Sequence, residues 1–286
     1  MKARLLRDRL RPGRTLIAPG VFDLISARIL DTKPIEAAYM TGFGVVASHL
    51  GLPDAGLATY TEMVERAGRI AQAIDAPLIA DADTGYGGLL NVRHTVRGYE
   101  AAGIAAIQLE DQEFPKKCGH TPGRRVIPAA DMVKKIRVAA ESRTGDMLII
   151  ARTDARTSLG LDEALRRGEA YVEAGADILF VESPESEEEM ARIGRSFDVP
   201  LLANMVEGGR TPVLPAPRLA ELGYQLAIYP AAGFLAAAAA LDRIYDELLE
   251  RGTTAGAETP VYPFARMCEV MGFPDVHEFE KRWADD

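Results

Sequence analysis

The sequence predicts a (β/α)8 barrel on three observations: short apolar runs alternate with amphipathic segments along the chain, eight such runs occur, and several are apolar at nearly every position. Strands that alternate with helices pair in parallel. A strand without in/out alternation, such as Leu148-Ile149-Ile150-Ala151, belongs to a sheet covered on both faces. Eight units favour a closed barrel over an open doubly wound sheet, and 286 residues suit the roughly 250 that such a barrel fills as one domain.

The apolar runs occupy residues 15–18, 37–41, 77–82, 105–111, 147–154, 176–182, 200–205 and 225–229. Between them, residues 61–74, 92–102, 129–142, 161–174, 186–197 and 217–222 carry apolar side chains at helical spacing. Ala102-Gly103-Ile104 and Ala174-Gly175-Ala176 repeat one phrase, a glycine that ends a helix and feeds a buried strand. Residues 231–241 are Ala-rich and too short to span a bilayer; between Pro230 and a charged continuation they read as a helix packed closely against a neighbour. With no Ser- or Pro-rich linker, the expectation is one barrel domain over residues 1–286, of which 251–286 form a C-terminal extension.

Composition removes several function classes. A hydrophobic content of 48% against 26% charged fits a globular protein with a sizeable core. A net charge of -9 and a pI near 5.1 leave no broad basic surface for nucleic acid or an anionic membrane. Two cysteines, Cys118 and Cys268, are too few for a disulfide framework, and the charged stretch from Met1 to Arg9 lacks the apolar core of a secretory signal. The expected location is the cytoplasm.

Polar residues close the predicted strands: Thr41, Asp81, Asp83, Glu110, Asp111, Arg152, Asp154, Glu182 and Asn204. Barrel enzymes build their active sites on that face. One acid at a strand end is ordinarily a cap or a solvated side chain, but carboxylates closing four strands converge and repel one another unless a cation intervenes. Asp81 and Asp83, two residues apart, project to one side of an extended strand, and Thr84-Gly85-Tyr86-Gly87 then turns the chain. An oxygen-rich site with few fixed ligands suits Mg²⁺, with Mn²⁺ as a substitute.

The strand ending at Glu110-Asp111 enters a polar loop, Gln112-Glu113-Phe114-Pro115-Lys116-Lys117-Cys118-Gly119-His120, that returns at Val126 and reads as a lid. Lys117 and His120 give Cys118 an electropositive setting that poises a thiol for proton transfer. From these residues alone an incidental loop cysteine is an equal reading. Zinc is disfavoured, because no second Cys or His pair stands at ligand spacing. Gly42-Phe43-Gly44-Val45-Val46-Ala47 matches a dinucleotide pattern, but Gly51 and Pro53 interrupt the helix it should open, and no acid closes a second strand at the required distance. His49, His94, His120 and His277 have no nucleophile-elbow motif to partner them.

Four segments carry a resemblance: Lys116-Lys117-Cys118-Gly119-His120, Asp81-Ala82-Asp83-Thr84-Gly85-Tyr86-Gly87, Ile150-Ala151-Arg152-Thr153-Asp154-Ala155, and the run from Leu202 to Pro212. Over nearly its whole length the chain resembles the isocitrate lyase and phosphoenolpyruvate mutase superfamily, in particular the short-chain branch of methylisocitrate, dimethylmalate and other 2-alkylmalate lyases and carboxyphosphonoenolpyruvate phosphonomutase. The resemblance implies a barrel that swaps its last helix within a homotetramer, and a Mg²⁺-dependent cleavage of a 2-hydroxy di- or tricarboxylate into a 2-oxo acid and a carboxylic acid. It implies that Asp81 and, through water, Asp54, Asp83 and Glu110 serve the metal. Thr41, Gly42 and Phe43 would hold the 2-oxo-acid carboxylate, with Thr and Phe where some relatives carry Ser and Gly. Cys118 would protonate the leaving enolate, Tyr39 would help deprotonate the hydroxyl, and Arg152, His120, Glu182 and Asn204 would bind or orient substrate beside Lys117 and Gly119. Phe180 is expected to line the pocket for the substituent, and Tyr262, Phe264 and Trp283 to belong to the segment that covers a neighbouring subunit.

Two alternatives of the same family share this site: a phosphonate-forming mutase and an oxaloacetate hydrolase or decarboxylase. Cys118 favours the lyase, since phosphoenolpyruvate mutases of the family usually lack it, although the carboxyphosphonoenolpyruvate mutase keeps a similar motif. Cys118, Arg152 and Asp81 together disfavour a non-catalytic binding barrel.

Overall fold

The structure is a computed structural model that describes residues 1–119, 121 and 123–284. α1 (Lys2–Arg9) leads into β1 (Leu16–Val21), α2 (Leu24–Asp31), β2 (Ala38–Met40), α3 (Gly42–Leu50), α4 (Tyr60–Ala73), β3 (Leu78–Asp81) and α5 (Leu89–Ala101). There follow β4 (Ala106–Glu110), α6 (Ala129–Ser142), β5 (Leu148–Thr153), α7 (Ala155–Leu159), α8 (Leu161–Glu173), β6 (Ile178–Val181), α9 (Glu187–Gly194) and β7 (Leu202–Asn204). The chain ends with α10 (Ala216–Glu221), β8 (Leu226–Tyr229), α11 (Ala232–Arg251), α12 (Phe264–Val270) and α13 (Phe273–Trp283).

All eight predicted strands form and pair in parallel in chain order, with β8 returning to β1. A bridge between Leu179 and Leu201 joins β6 to the start of β7, where the Leu179 N–H donates to the Pro200 carbonyl at 3.0 Å, and the barrel closes. The first strand runs through Pro19, Gly20 and Val21, beyond the predicted 15–18. Gly20 permits this, because a Cβ there would stand 2.6 Å from the Pro230 carbonyl oxygen.

The two-residue period of each strand sorts its side chains between two cores. In β5, Leu148 and Ile150 join Leu16, Tyr39, Ile79, Ile178 and Phe180 on the barrel axis, whereas Ile149 and Ala151 face the helices. Continuing the same inward rows, Ile79 is followed by Asp81, Ile150 by Arg152, Phe180 by Glu182 and Leu202 by Asn204. The axis is therefore apolar below and polar at the strands' C-terminal ends. α1 closes the lower end: Ala3 and Leu6 join the axial core, and Lys2 Nζ donates to the carbonyls of Ala71 (2.8 Å) and Ile74 (2.6 Å).

The glycine-rich run after β2 does open a nine-residue helix, α3, capped by Thr41 Oγ1 accepting from the Gly44 N–H at 3.4 Å and ended by left-handed Gly51. Its first turn abuts the chain's own Asp81: a Cβ on Gly42 would meet Asp81 Oδ2 at 2.4 Å. The start of the 231–241 segment packs on its own barrel, with Phe234 of α11 against Phe22 and Phe43 and a Cβ on Gly233 only 3.1 Å from the Gly20 carbonyl oxygen, while α11 as a whole buries none of its residues completely. None of the helices among the described residues is long and apolar enough to cross a membrane.

Candidate active site

A cavity of about 230 Å³ opens at the C-terminal ends of the strands. Its size suits a small acid, below the range of drug-sized ligands. It is lined by Tyr39, Thr41, Gly42, Phe43, Asp54, Asp81, Glu110, Lys117, Cys118, Gly119, Arg152, Phe180, Glu182 and Asn204. Of the remaining predicted residues, Asp83 stands just behind the lining, and His120 lies outside the described residues.

The acids gather around a lysine. Asp81 closes β3, and Asp83 sits beyond the strand with φ +48°, so the pair does not share an extended strand face as predicted. The turn brings the Asp83 N–H onto Asp81 Oδ1 at 3.0 Å. Lys116, only 3% exposed, forms ion pairs with Asp54 and with Asp83, the latter at 2.8 Å. Burial pushes the Asp83 carboxyl up to about 6 and raises Asp81, while Glu110 is held well above the usual carboxylate range. Burial also works against the Lys116 charge, but the Asp83, Asp54 and Asp81 carboxylates outweigh it and keep the ammonium well above its ordinary value.

This donor set fits a hard divalent cation. It consists of carboxylate oxygens, and Glu110 Oε1 is buried without a hydrogen-bond partner among the described residues. Among the described residues no three His, Cys, Asp or Glu side chains are grouped closely enough to hold an ion by themselves. An ion that keeps several waters and reaches most acids through them matches that spacing.

Arg152 organises the opposite wall. Its Nε and Nη2 donate to the two oxygens of Asp154, each at 2.9 Å, and Arg124 also pairs with Asp154. The guanidinium stands 3.3 Å from Glu110 Oε2 and from Glu182 Oε2, and 5.2 Å from the centre of the Phe180 ring. Burial opposes its charge, yet Asp154, Glu110 and Glu182 hold its pKa well above the ordinary value. Asn204 Nδ2 donates to Glu182 Oε2 at 3.1 Å. The Tyr39 hydroxyl donates to Gln108 Oε1 at 3.1 Å; burial, reinforced by Asp81, keeps this phenol protonated far above neutral pH.

The Cys118 loop lies over both walls. The Cys118 N–H donates to the Asp54 carbonyl at 3.1 Å, and Gln112 clamps Lys117 by accepting its N–H (3.0 Å) and donating to its carbonyl (2.9 Å). Gly119 rests on the Arg152 and Glu182 pair, where a Cβ would stand 2.4 Å from Arg152 Nη2.

Sequence reasoning placed Lys116 in a motif without giving it a role, and it missed Gln108, Arg124 and Phe234. A lysine in a polar loop carries no signal of burial. Phe234 comes from α11, where its ring meets Phe43 with centroids 5.1 Å apart, a long-range contact that local spacing does not encode.

Residues 6–249 match the family model described as phosphoenolpyruvate phosphomutase. The 2,3-dimethylmalate lyase of Eubacterium barkeri is 49% identical over 280 residues, spanning 98% of this chain and 97% of that one. The 2-methylisocitrate lyase of Aeropyrum pernix is 41% identical over 281 residues, spanning 98% and 90%. The solved structure of oxaloacetate acetylhydrolase with the inhibitor 3,3-difluorooxalacetate superposes with a TM-score of 0.92 at 36% identity, covering 98% of this chain and 96% of that one. The chain belongs to the phosphoenolpyruvate mutase and isocitrate lyase superfamily, whose enzymes work with a divalent metal. Within that superfamily it stands with the carbon–carbon lyases.

Proposed function

We propose that the enzyme cleaves a 2-hydroxy dicarboxylate of the 2-alkylmalate type, releasing a 2-oxo acid such as pyruvate and a carboxylic acid, with Mg²⁺ as the cofactor. The supporting observation is that Arg152, the Cys118 loop and an all-oxygen acid cluster share one small cavity. Asp81 and, through water, Asp54, Asp83 and Glu110 would hold Mg²⁺, with Mn²⁺ as a substitute. When bound, the ion supplies the positive charge that lowers the cost of the alkoxide and of the 2-oxo acid it becomes.

Thr41 caps α3 and Gly42 and Phe43 open its first turn, a helix N-terminus whose backbone N–H groups suit the substrate carboxylate. Arg152 meets the charge that spreads onto the departing fragment. Glu182, Asn204, Gly119, Lys117 and His120 orient the two carboxylates. Tyr39 stays protonated, so it orients the substrate hydroxyl and passes on its proton only in concert with a second acceptor, a narrower role than that of a free base. After the carbon–carbon bond breaks, the Cys118 thiol donates its proton to the enolate carbon. Phe180, beside Arg152, borders the space for the alkyl substituent.

We also propose a cytoplasmic homotetramer in which residues 251–286 cover a neighbouring subunit. The apolar residues exposed in that segment support the assembly, and two cysteines, too few for a disulfide framework, suit a reducing compartment. Pyruvate release from 2,3-dimethylmalate, 2-methylisocitrate, citramalate and oxaloacetate, coupled to lactate dehydrogenase with Mg²⁺ or with EDTA, tests the reaction. Metal-dependent release from an alkylmalate supports the lyase. Silence on all four, with oxalate appearing from oxaloacetate, replaces it with the hydrolase.

A further inference from the structure

Ser183, two residues past the end of β6, has φ +60° and is fully buried. Non-glycine residues rarely adopt such a backbone, and when one does at a site the outlier points to a role for its side chain. The Ser183 N–H donates to Glu182 Oε1 at 2.7 Å, which turns the other oxygen, Oε2, towards Arg152 and Asn204. The Ser183 hydroxyl lies 3.1 Å from Glu182 Oε1 and 3.3 Å from the carbonyl oxygen of Gly119, the residue after Cys118. It has one proton and two acceptors, so it bonds either the substrate-facing wall or the loop that carries the cysteine. Glu182 is held by Asn204 and the Ser183 N–H, and the Gly119 backbone lies close against it, since a Cβ there would stand 2.7 Å from Glu182 Oε2.

We propose that Ser183 is a positioning residue that latches the Cys118 loop onto the Arg152 and Glu182 wall, so that the thiol is aimed at one face of the enolate. The inference rests on the lyase reading above. In the step it governs, the Cys118 S–H bond breaks, a C–H bond forms on the enolate carbon, and the thiolate recovers its proton from solvent. With the latch intact, the hydron enters from one side. Without it, water competes from either side.

Ser183→Gly and Ser183→Ala both delete the hydroxyl, but only glycine relieves the backbone. A merely structural serine would therefore show activity and stability moving together. The latch predicts that kcat falls on the order of tenfold or more in both variants, while the thermal midpoint of Ser183→Gly stays at or above that of the wild type. In D2O with 2,3-dimethylmalate, the wild type should yield propionate deuterated on one face, and both variants a mixture of the two configurations. Wild-type kcat with one-sided label, or a loss of kcat matched by a lower midpoint in Ser183→Gly, overturns the proposal. If the wild type shows no lyase turnover, the reaction assignment fails instead. Amide hydrogen exchange at residues 116–119 with Mg²⁺ and oxalate, a planar mimic of a 2-oxo-acid enolate, then decides: faster exchange in both variants supports the latch, and equal exchange removes it.

Discussion

The Cys118 N–H donates to the Asp54 carbonyl at 3.1 Å, a backbone bond that a substitution of the side chain keeps. Cys118→Ser should lower turnover by at least about 100-fold, the usual size of a general-acid contribution, while leaving Mg²⁺ and pyruvate binding near wild type by calorimetry. Normal turnover in that variant would remove Cys118 from the mechanism. The acids make a separate prediction. In the metal-free enzyme the Asp83 carboxyl, raised to about 6 chiefly by burial, takes up a proton as the pH falls through that value, and a cation must displace it. Apparent Mg²⁺ affinity should weaken as the pH falls through about 6, towards tenfold per pH unit for this one proton. Asp83→Asn should flatten that profile, and a wild-type affinity level down to about pH 5 would exclude Asp83 from the metal site. Asp81, Glu110 and Arg152 were legible in the sequence because strand period two sends every second residue to the axis, whereas Asp54 stands on no strand and entered only through the family resemblance. The turn at Asp83, with its positive φ, and the burial of Lys116 were not, because both are set by contacts with Asp54 and Asp81 across the barrel mouth.

At the scale of elements, the eight strands and the helices at 129–142 and 161–174 were readable because their apolar periodicity is strong, with Pro128 before the first helix and Gly160 and Gly175 around the second. α1 and α2 were not: both are only eight residues long, and α1 alternates charged residues with two buried ones. Its position nevertheless gives it weight, because Leu6 is fully buried at the lower end of the axis. Leu6→Ala should destabilise the protein by about 3 kcal/mol, within the range for a buried leucine whose site collapses partially. The catalytic face is at the other end of the barrel, so kcat of the folded enzyme should not change. Urea unfolding and steady-state kinetics on one preparation check both halves. An unchanged unfolding midpoint would show that α1 does not plug the barrel, and a reduced kcat would show that the two ends are coupled.

For the whole molecule, net charge and composition identify a globular chain with a sizeable core but say nothing of its assembly, since the apolar residues of the C-terminal segment are too scattered to read as a face in one dimension. In three dimensions Tyr262, Phe264, Phe273, Phe279 and Trp283 are all exposed, with Phe264 at 83%. α12 touches its own chain through Arg28 Nε, which donates to the Val270 carbonyl at 3.2 Å, while α13 buries no residue. Five large exposed aromatics along one short segment exceed the scattered apolar residues a monomer ordinarily shows, and each would gain about 1.5–3 kcal/mol if fully covered. α11, which delivers this segment, also supplies Phe234 to the cavity wall, so packing against a neighbour bears on the site itself. Removing residues 252–286 should therefore convert a tetramer into smaller species in light scattering and raise KM more than it lowers kcat, because the barrel and its acids remain while the cover over α11 is lost. A full-length chain that stays monomeric at micromolar concentration would break this link, and the exposed aromatics would then require a partner other than a second copy.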